Sequence, residues 1–262
     1  MLNLRAFLKI LGAYRLYEKW LRGQVEKKDM PQHVAVILDG NRRWANERSL
    51  PYLDGHLYGA KIAEEFLNWC LELGIKTVTV YVFSTENFQR PKEEVERILR
   101  LIEDEARRLR TDERLHENKV RVKTIGRIDL LPESLRQILS DVEKETENYN
   151  EHYLNIAIAY GGRAEIVDAA RKIADDVAKQ KLSLNRIDEA LFKDYLYTAY
   201  LPNPYPDLII RTSGEERLSG FLLWQSAYSE LCFLDVYWPD FRKIDLLRAV
   251  RTYQQRRRRY GR

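Results

Sequence analysis

At 262 residues, 45% of them hydrophobic and 11% aromatic, the chain can bury a sizeable core in one large domain or two small ones. Its 44 basic and 40 acidic residues nearly cancel at +4, so a pI near 8.9 calls for neither nucleic acid nor an acidic partner. No run approaches the roughly 18 apolar residues of a spanning helix, and Cys70 and Cys232 sit in apolar runs without CxxC or Cys/His spacing for zinc, as expected of buried thiols in a reducing cytoplasm.

Residues 2–22 carry Arg5, Lys9, Arg15, Lys19 and Arg22 throughout, which leaves no unbroken apolar stretch for a signal peptide. Leu4, Phe7, Leu8, Leu11, Tyr14 and Trp20 approximate one helical face. That face is expected to pack on its own domain or a partner; the basic residues also fit a helix lying on a membrane surface, the minority reading. Six β-rich runs follow: His33 to Leu38, Thr77 to Phe83, Val120 to Ile125, Leu154 to Ala159, Asp207 to Arg211, and Cys232 to Val236. Helical patterns separate most of them. Ala60, Ala63, Phe66, Leu67, Cys70 and Leu71 keep helical spacing up to a capping Gly74. Pro91 opens a second helix with an acidic first turn and a core face of Val95, Ile98, Leu99, Ile102, Ala106 and Leu109. Leu131 to Tyr149 and Ala164 to Lys179 supply two more. The alternation predicts one α/β domain, with a six-stranded, mainly parallel sheet flanked by helices.

In such sheets ligands bind beyond the carboxyl ends of the strands, here Asp39 to Arg43, Ser84 to Arg90, Gly161 to Arg163 and Thr212 to Ser219. Three of these loops set arginine beside small or hydroxyl residues, which suits phosphate. HVAVILDGNRRWA, His33 to Ala45, ends a buried strand at a carboxylate followed by anion-binding donors. No Walker loop, GxGxxG, GxSxG or HExxH occurs. An aspartate-nucleophile phosphatase would need a second acid two residues after Asp39, where Asn41 stands. Glu230, in WQSAYSELCF, is an acid among apolar neighbours with helical spacing at Trp224, Ala227, Tyr228 and Leu231. It reads equally as a capping or ion-paired residue and as a magnesium ligand, since that ion takes one or two carboxylates plus phosphate oxygens.

HVAVILDGNRRWA, GHLYGA, YVFSTENFQRP, LNIAIAYGGRAEIV and DLIIRTSGEERLSGFLLWQSAYSELCFLDVYWPDF together resemble the cis-prenyltransferases, the undecaprenyl diphosphate synthase family, across residues 30–260 and in the family's motif order. The DDxxD of trans-elongating synthases is absent; Asp175-Asp176 lacks the third acid. The resemblance implies a magnesium-dependent enzyme that extends an allylic diphosphate (farnesyl or geranylgeranyl) with isopentenyl diphosphate units into a long polycis product, the precursor of a glycosyl carrier lipid. It implies a catalytic role for Asp39 and Asn87, and magnesium at Asp39 and Glu230. Gly40, Asn41, Arg42, Arg43 and Trp44, with His56 and Arg90, would surround the allylic diphosphate. Ser84, Thr85, Glu86 and Phe88 would also bind substrate; Ser84, Glu86 and Asn87 match the family's Ser-x-Glu-Asn segment, in which Asn87 would position the isopentenyl group or accept its proton. Arg211, Arg217, Leu218 and Ser219 would hold isopentenyl diphosphate.

Residues 30–262 then form the catalytic domain and 1–29 an extension. Three positions depart from the family pattern: Tyr52 where an arginine is frequent, Glu216 where some members have histidine, and Phe88 for tryptophan. Val82, Phe83, Ile98 and Ile102 are candidates to line a product tunnel, though ordinary core predicts the same spacing. Arg259-Tyr260-Gly261 resembles an Arg-x-Gly tail that reaches a neighbouring subunit, which implies a homodimer rather than a nucleic-acid patch. The expected location is cytoplasmic, at most peripheral to the membrane's cytoplasmic face. A non-catalytic partner subunit is the rival reading, disfavoured because Asp39, Asn87, Arg211, Arg217 and Glu230 are all present.

Overall fold

A computed structural model describes residues 13–25 and 29–256. Leu4, Phe7, Leu8, Leu11 and the Arg259-Tyr260-Gly261 tail lie outside the described residues. Six strands, β1 (His33–Ile37), β2 (Thr77–Ser84), β3 (Val120–Ile125), β4 (His152–Tyr160), β5 (Leu208–Arg211) and β6 (Glu230–Phe233), form one sheet in the order β3-β4-β2-β1-β5-β6. Every pairing is parallel. The principal helices are α1 (Ala13–Gln24), α2 (Asn41–Glu47), α3 (Tyr52–Glu72), α4 (Lys92–Arg110), α5 (Glu133–Glu145), α6 (Gly162–Ala178) and α7 (Lys243–Gln255).

The strands are apolar nearly end to end because helices cover both faces. In β1 the two-residue pleat sends Val34 and Val36 into a core shared with Phe66 and Cys70 of α3, Trp238, Phe241 and α7. Ala35 and Ile37 point the other way, onto Tyr81, Tyr160 and Phe221. A third cluster joins Phe83 and Ile158 to Ile98 and Leu99 of α4 and Leu135 and Ile138 of α5. Gly74, at φ +74°, terminates α3 as its position predicts, and Pro91 precedes the first turn of α4. The helix expected over Leu131 to Tyr149 is shorter, starting after Pro132 and ending before Thr146.

Two further boundaries move. β4 begins at His152, and β6 at Glu230 rather than Cys232. Residues 220–228 are turns, not the helix suggested by Trp224, Ala227, Tyr228 and Leu231. The apolar spacing there reflects an irregular segment whose Gln225 is buried and donates to Glu165 (2.9 Å) and Thr198 (3.1 Å). Over its described part, the N-terminal helix packs on its own domain. Leu21 is fully buried against Ile244 and Leu247 of α7. Tyr14, Tyr17 and Trp20 stack beneath Arg242, Arg248 and Arg251 at 5.2, 5.0 and 5.5 Å.

The order of the sheet locates the site. From β1 the chain moves to β2 on one side, whereas β5 leads to β6 on the other, so the topological switch falls between β1 and β5. Ile37 pairs in register with Arg211 there, and Asp39 lies two residues beyond.

Candidate active site

Asp39 stands at this switch because its main chain has no freedom left. Its N–H donates to the Ile37 carbonyl (2.9 Å) and to Thr212 Oγ1 (3.1 Å). Its carbonyl accepts from the Thr212 hydroxyl (2.7 Å) and the Trp238 amide (3.0 Å). The chain then turns through Gly40 at φ +103°, where a Cβ would lie 2.6 Å from the Tyr237 ring. Only glycine fits both conditions.

Arg211, buried at the end of β5, donates through Nη2 to Asp39 Oδ2 (2.7 Å) and through Nη1 to Ser219 Oγ (2.8 Å) and the Arg217 carbonyl. Its Nε has no partner among the described residues. Arg43 approaches Asp39 Oδ1 at 3.5 Å, donates to Ser213 Oγ at 2.6 Å and reaches Glu215 at 3.3 Å. Burial alone would raise the Asp39 carboxyl. Arg211, through its hydrogen bond and charge, and behind it Ser213 and Arg43, outweigh burial and hold the group below the ordinary carboxylate range. Ser213 and Ser219, at φ +80° and +48°, are non-glycine residues in the left-handed region, which concentrates backbone strain in this loop.

A second cationic group faces the first. Arg42 and Arg90 both lie 3.3 Å from Oε1 of the buried Glu94. His56 lies nearby on α3; burial first, then the charges of Arg90 and Arg42, pull it down to about 4, so it is neutral near pH 7. Its Nε2 is buried without a partner. At the end of β2, where the pairing with β4 shifts register, Asn87 accepts the Ser84 N–H on Oδ1 (2.9 Å). That bond leaves the Asn87 NH₂ as the group offered to a ligand, a donor and not a proton acceptor.

These side chains ring one cavity of about 1510 Å³, lined at its mouth by Asp39, Gly40, Asn41, Arg42, Arg43, His56, Ser84, Glu86, Asn87, Arg90, Arg211 and Ser219. It runs between the sheet, α3 and α4 past Val82, Phe83, Ile98 and Ile102, all four of the expected tunnel residues, to Lys76, Val120 and His152 at the opposite strand ends. Its volume exceeds the roughly 300–1,000 Å³ of ordinary small-molecule pockets. A long apolar chain attached to an anionic head matches this shape.

The family model for undecaprenyl diphosphate synthase matches residues 37–261. The chain belongs to the undecaprenyl diphosphate synthase family. Among curated relatives, the tritrans,polycis-undecaprenyl-diphosphate synthase (geranylgeranyl-diphosphate specific) of Pyrococcus abyssi is 56% identical over 250 residues, covering 95% of this chain and 94% of that protein. Its Methanopyrus kandleri namesake is 53% identical, covering 95% and 91%. The crystal structure of lavandulyl diphosphate synthase from Lavandula x intermedia, in complex with dimethylallyl diphosphate, superposes with a TM-score of 0.85 at 38% identity, covering 90% of this chain and all of that one. This family member is a cis-prenyltransferase that condenses an allylic diphosphate with isopentenyl diphosphate.

Several residues of the sequence reading stand elsewhere in this cis-prenyltransferase. Glu230 is not brought to Asp39. It opens β6 at the other end of the sheet and pairs with Arg256 at 3.0 Å; Leu208, its β5 partner, aligns with Val34, five residues and so roughly 16 Å before Asp39. The ion-paired alternative is the one observed. Asn41 faces inward, its Nδ2 donating to the Leu38 carbonyl (3.0 Å) and its Oδ1 against Gly59, so only its main chain is offered to the cavity. Trp44 is buried behind α2 against Tyr58. Phe88 packs edge-on to Phe83, Leu218 joins the Tyr81 cluster, Thr85 donates to Glu86 (3.2 Å), and Arg217 is exposed and paired with Glu215. None of these four lines the cavity.

Sequence reasoning missed Glu94, Thr212, Ser213 and Glu215. Arg90 and Glu94 show the i, i+4 spacing that could have marked the first. In the RTSGEE segment attention fell on Glu216, which is exposed, instead of Glu215, which anchors Arg43 and Arg217.

Proposed function

We propose that the chain extends geranylgeranyl diphosphate by successive isopentenyl diphosphate units to a tritrans,polycis product of undecaprenyl length. The observation that carries this reading is the Asp39–Arg211 pair at the mouth of a cavity that runs apolar along the sheet. The relatives named for that primer and product cover nearly the whole chain.

Ionising the allylic carbon–oxygen bond places negative charge on the departing diphosphate. Arg42, Arg43 and Arg90, with the Asn87 amide, stabilise that charge at the cavity mouth, while Arg211 and Ser219 hold the diphosphate of isopentenyl diphosphate. Neutral His56 lines the same space. The departing diphosphate is the base that takes the proton from the extended chain, because an asparagine amide is too weak a base to hold it.

Magnesium fits Asp39: a single hard, partly exposed carboxylate held ionised, with no group of three or more acidic, histidine or cysteine ligands among the described residues, suits an ion that takes its remaining ligands from diphosphate and water. Bound there, it would supply charge neutralisation for the leaving group. Within one chain Glu230 lies too far away to share that ion.

A homodimer covers β6, an edge strand whose four residues are all half-buried. No helix among the described residues is long and apolar enough to cross a membrane. The outer face of α1, with Leu16 exposed between Arg15 and Lys19, is the surface for peripheral contact at the cytoplasmic face.

The test is incubation of the purified chain with labelled isopentenyl diphosphate, magnesium and dimethylallyl, farnesyl or geranylgeranyl diphosphate, with chromatography of the lipid. Geranylgeranyl diphosphate should give the most label, at undecaprenyl length. A preference for another primer overturns the assigned specificity, and no extractable label with any primer overturns the whole reading.

A further inference from the structure

Arg42 opens α2 and Arg90 follows β2, so the backbone alone does not fix how far apart their guanidinium groups lie. What joins them is a single oxygen. Glu94 Oε1 is 3.3 Å from an Nη1 of each, and Glu94 is 6% exposed, whereas the Arg42 and Arg90 side chains are 52% and 30% exposed. The carboxylate is the sheltered member and the arginines are the more accessible ones. It sits in the first turn of α4, where the helix dipole favours a negative charge, and its backbone belongs to a helix anchored in the core by Val95, Ile98 and Leu99.

Two guanidinium groups on one shared oxygen repel one another. Without an intervening negative charge, the exposed Arg42 and the half-buried Arg90 would move apart and lose the geometry an anion needs. Each guanidinium carries five N–H donors, so contact with one oxygen of Glu94 leaves most of them for a ligand.

We infer that Glu94 is a positioning residue that holds Arg42 and Arg90 in register as a two-armed clamp for the diphosphate of the allylic primer, touching neither substrate itself. This rests on the assignment of those arginines to the primer proposed above. A buried carboxylate near an anion is unfavourable on charge alone, so its benefit must come from alignment. The two contributions have opposite signs and can be separated.

The experiment measures KM for primer and for isopentenyl diphosphate separately, on the full chain with magnesium, for Glu94→Gln, Glu94→Asp, Arg42→Ala, Arg90→Ala and Glu94→Gln combined with both alanine changes. Glu94→Gln should raise the primer KM about tenfold and leave the isopentenyl diphosphate KM within about twofold. Glu94→Asp should recover part of the loss. In the absence of both arginines, Glu94→Gln should add less than about twofold, because the residue acts through them. Equal changes in both KM values, tighter primer binding in Glu94→Gln, or an undiminished effect in the arginine-free background would overturn the role of Glu94. If the arginine variants instead raise the isopentenyl diphosphate KM, the assignment of the clamp to the primer falls, and the coupling to Glu94 shows separately whether the clamp exists.

Discussion

Toward the N-terminal ends of the strands, His33 Nε2 meets Thr79 Oγ1 at 2.7 Å, Asn155 Nδ2 donates to the same oxygen at 2.7 Å, and Tyr200 donates to the Asn155 amide oxygen. His33 Nδ1 faces the Asn203 carbonyl at 3.2 Å. His33, Thr79 and Asn155 are sealed from water and occupied by protein partners. At the C-terminal ends, Asp39, Arg211, Arg43, Arg42, Arg90 and Glu94 are also paired, yet Arg211 Nε and His56 Nε2 have no partner and the exposed arginines keep free donors. Polar burial at one end fixes strand positions. At the other, the exposed arginines keep donors for an anion, so pairing alone does not distinguish structure from function; the accessible donors around the cavity do.

The contrast breaks most sharply at Asp39. Asp39→Asn keeps the shape but removes the charge, and turnover of labelled isopentenyl diphosphate should fall by about 10²-fold or more; undiminished elongation would make this end structural like the other. Gly40→Ala should lower stability by about 1–3 kcal/mol in denaturant unfolding, from the positive φ and the Tyr237 clash, and reduce activity with it.

At the opposite end, Thr79→Val strips the hydroxyl from His33 and Asn155 and should cost about 1–3 kcal/mol in thermal or chemical unfolding, with both KM values unchanged. A shift in either KM would show that the two ends are coupled.

Acid sharpens the comparison. Burial, only partly opposed by Asp207, lowers His33 to about 4 from an ordinary 6.5, so the folded state disfavours its proton. Its contribution to stability is complete above pH 6.5 and drains away as pH falls toward about 4. His33→Gln should flatten that part of the stability profile. The smallest effect is spectroscopic. Pyrophosphate neutralises the arginines that depress His56, so its NMR titration midpoint should rise by about one unit while that of His33 stays fixed.

The sheet was legible because β-branched runs between helical periodicities leave few alternatives; the β1, β2 and β3 segments agree with expectation to within a residue. β6 was displaced because a half-buried edge strand lacks a clean pattern and the turns before it carry chance helical spacing. At the site, Asp39, Arg42, Arg43, Arg90 and Arg211 were legible from their strand-end positions. Glu215, reaching Arg43 over 172 positions, depends on how distant loops meet. Trp44 was misplaced, and the Asn41 side chain turned inward, because a short helix shows a ligand one side only, and the letters do not say which.

The hollow beneath the sheet has a thermodynamic consequence. Wall residues such as Val82, Ile98 and Ile102 line about 1510 Å³ of space that is apolar along the sheet. Other long-chain amphiphiles fit the same wall, so detergent or fatty acid is expected to raise the melting temperature in a thermal-shift titration and to compete with the natural tail.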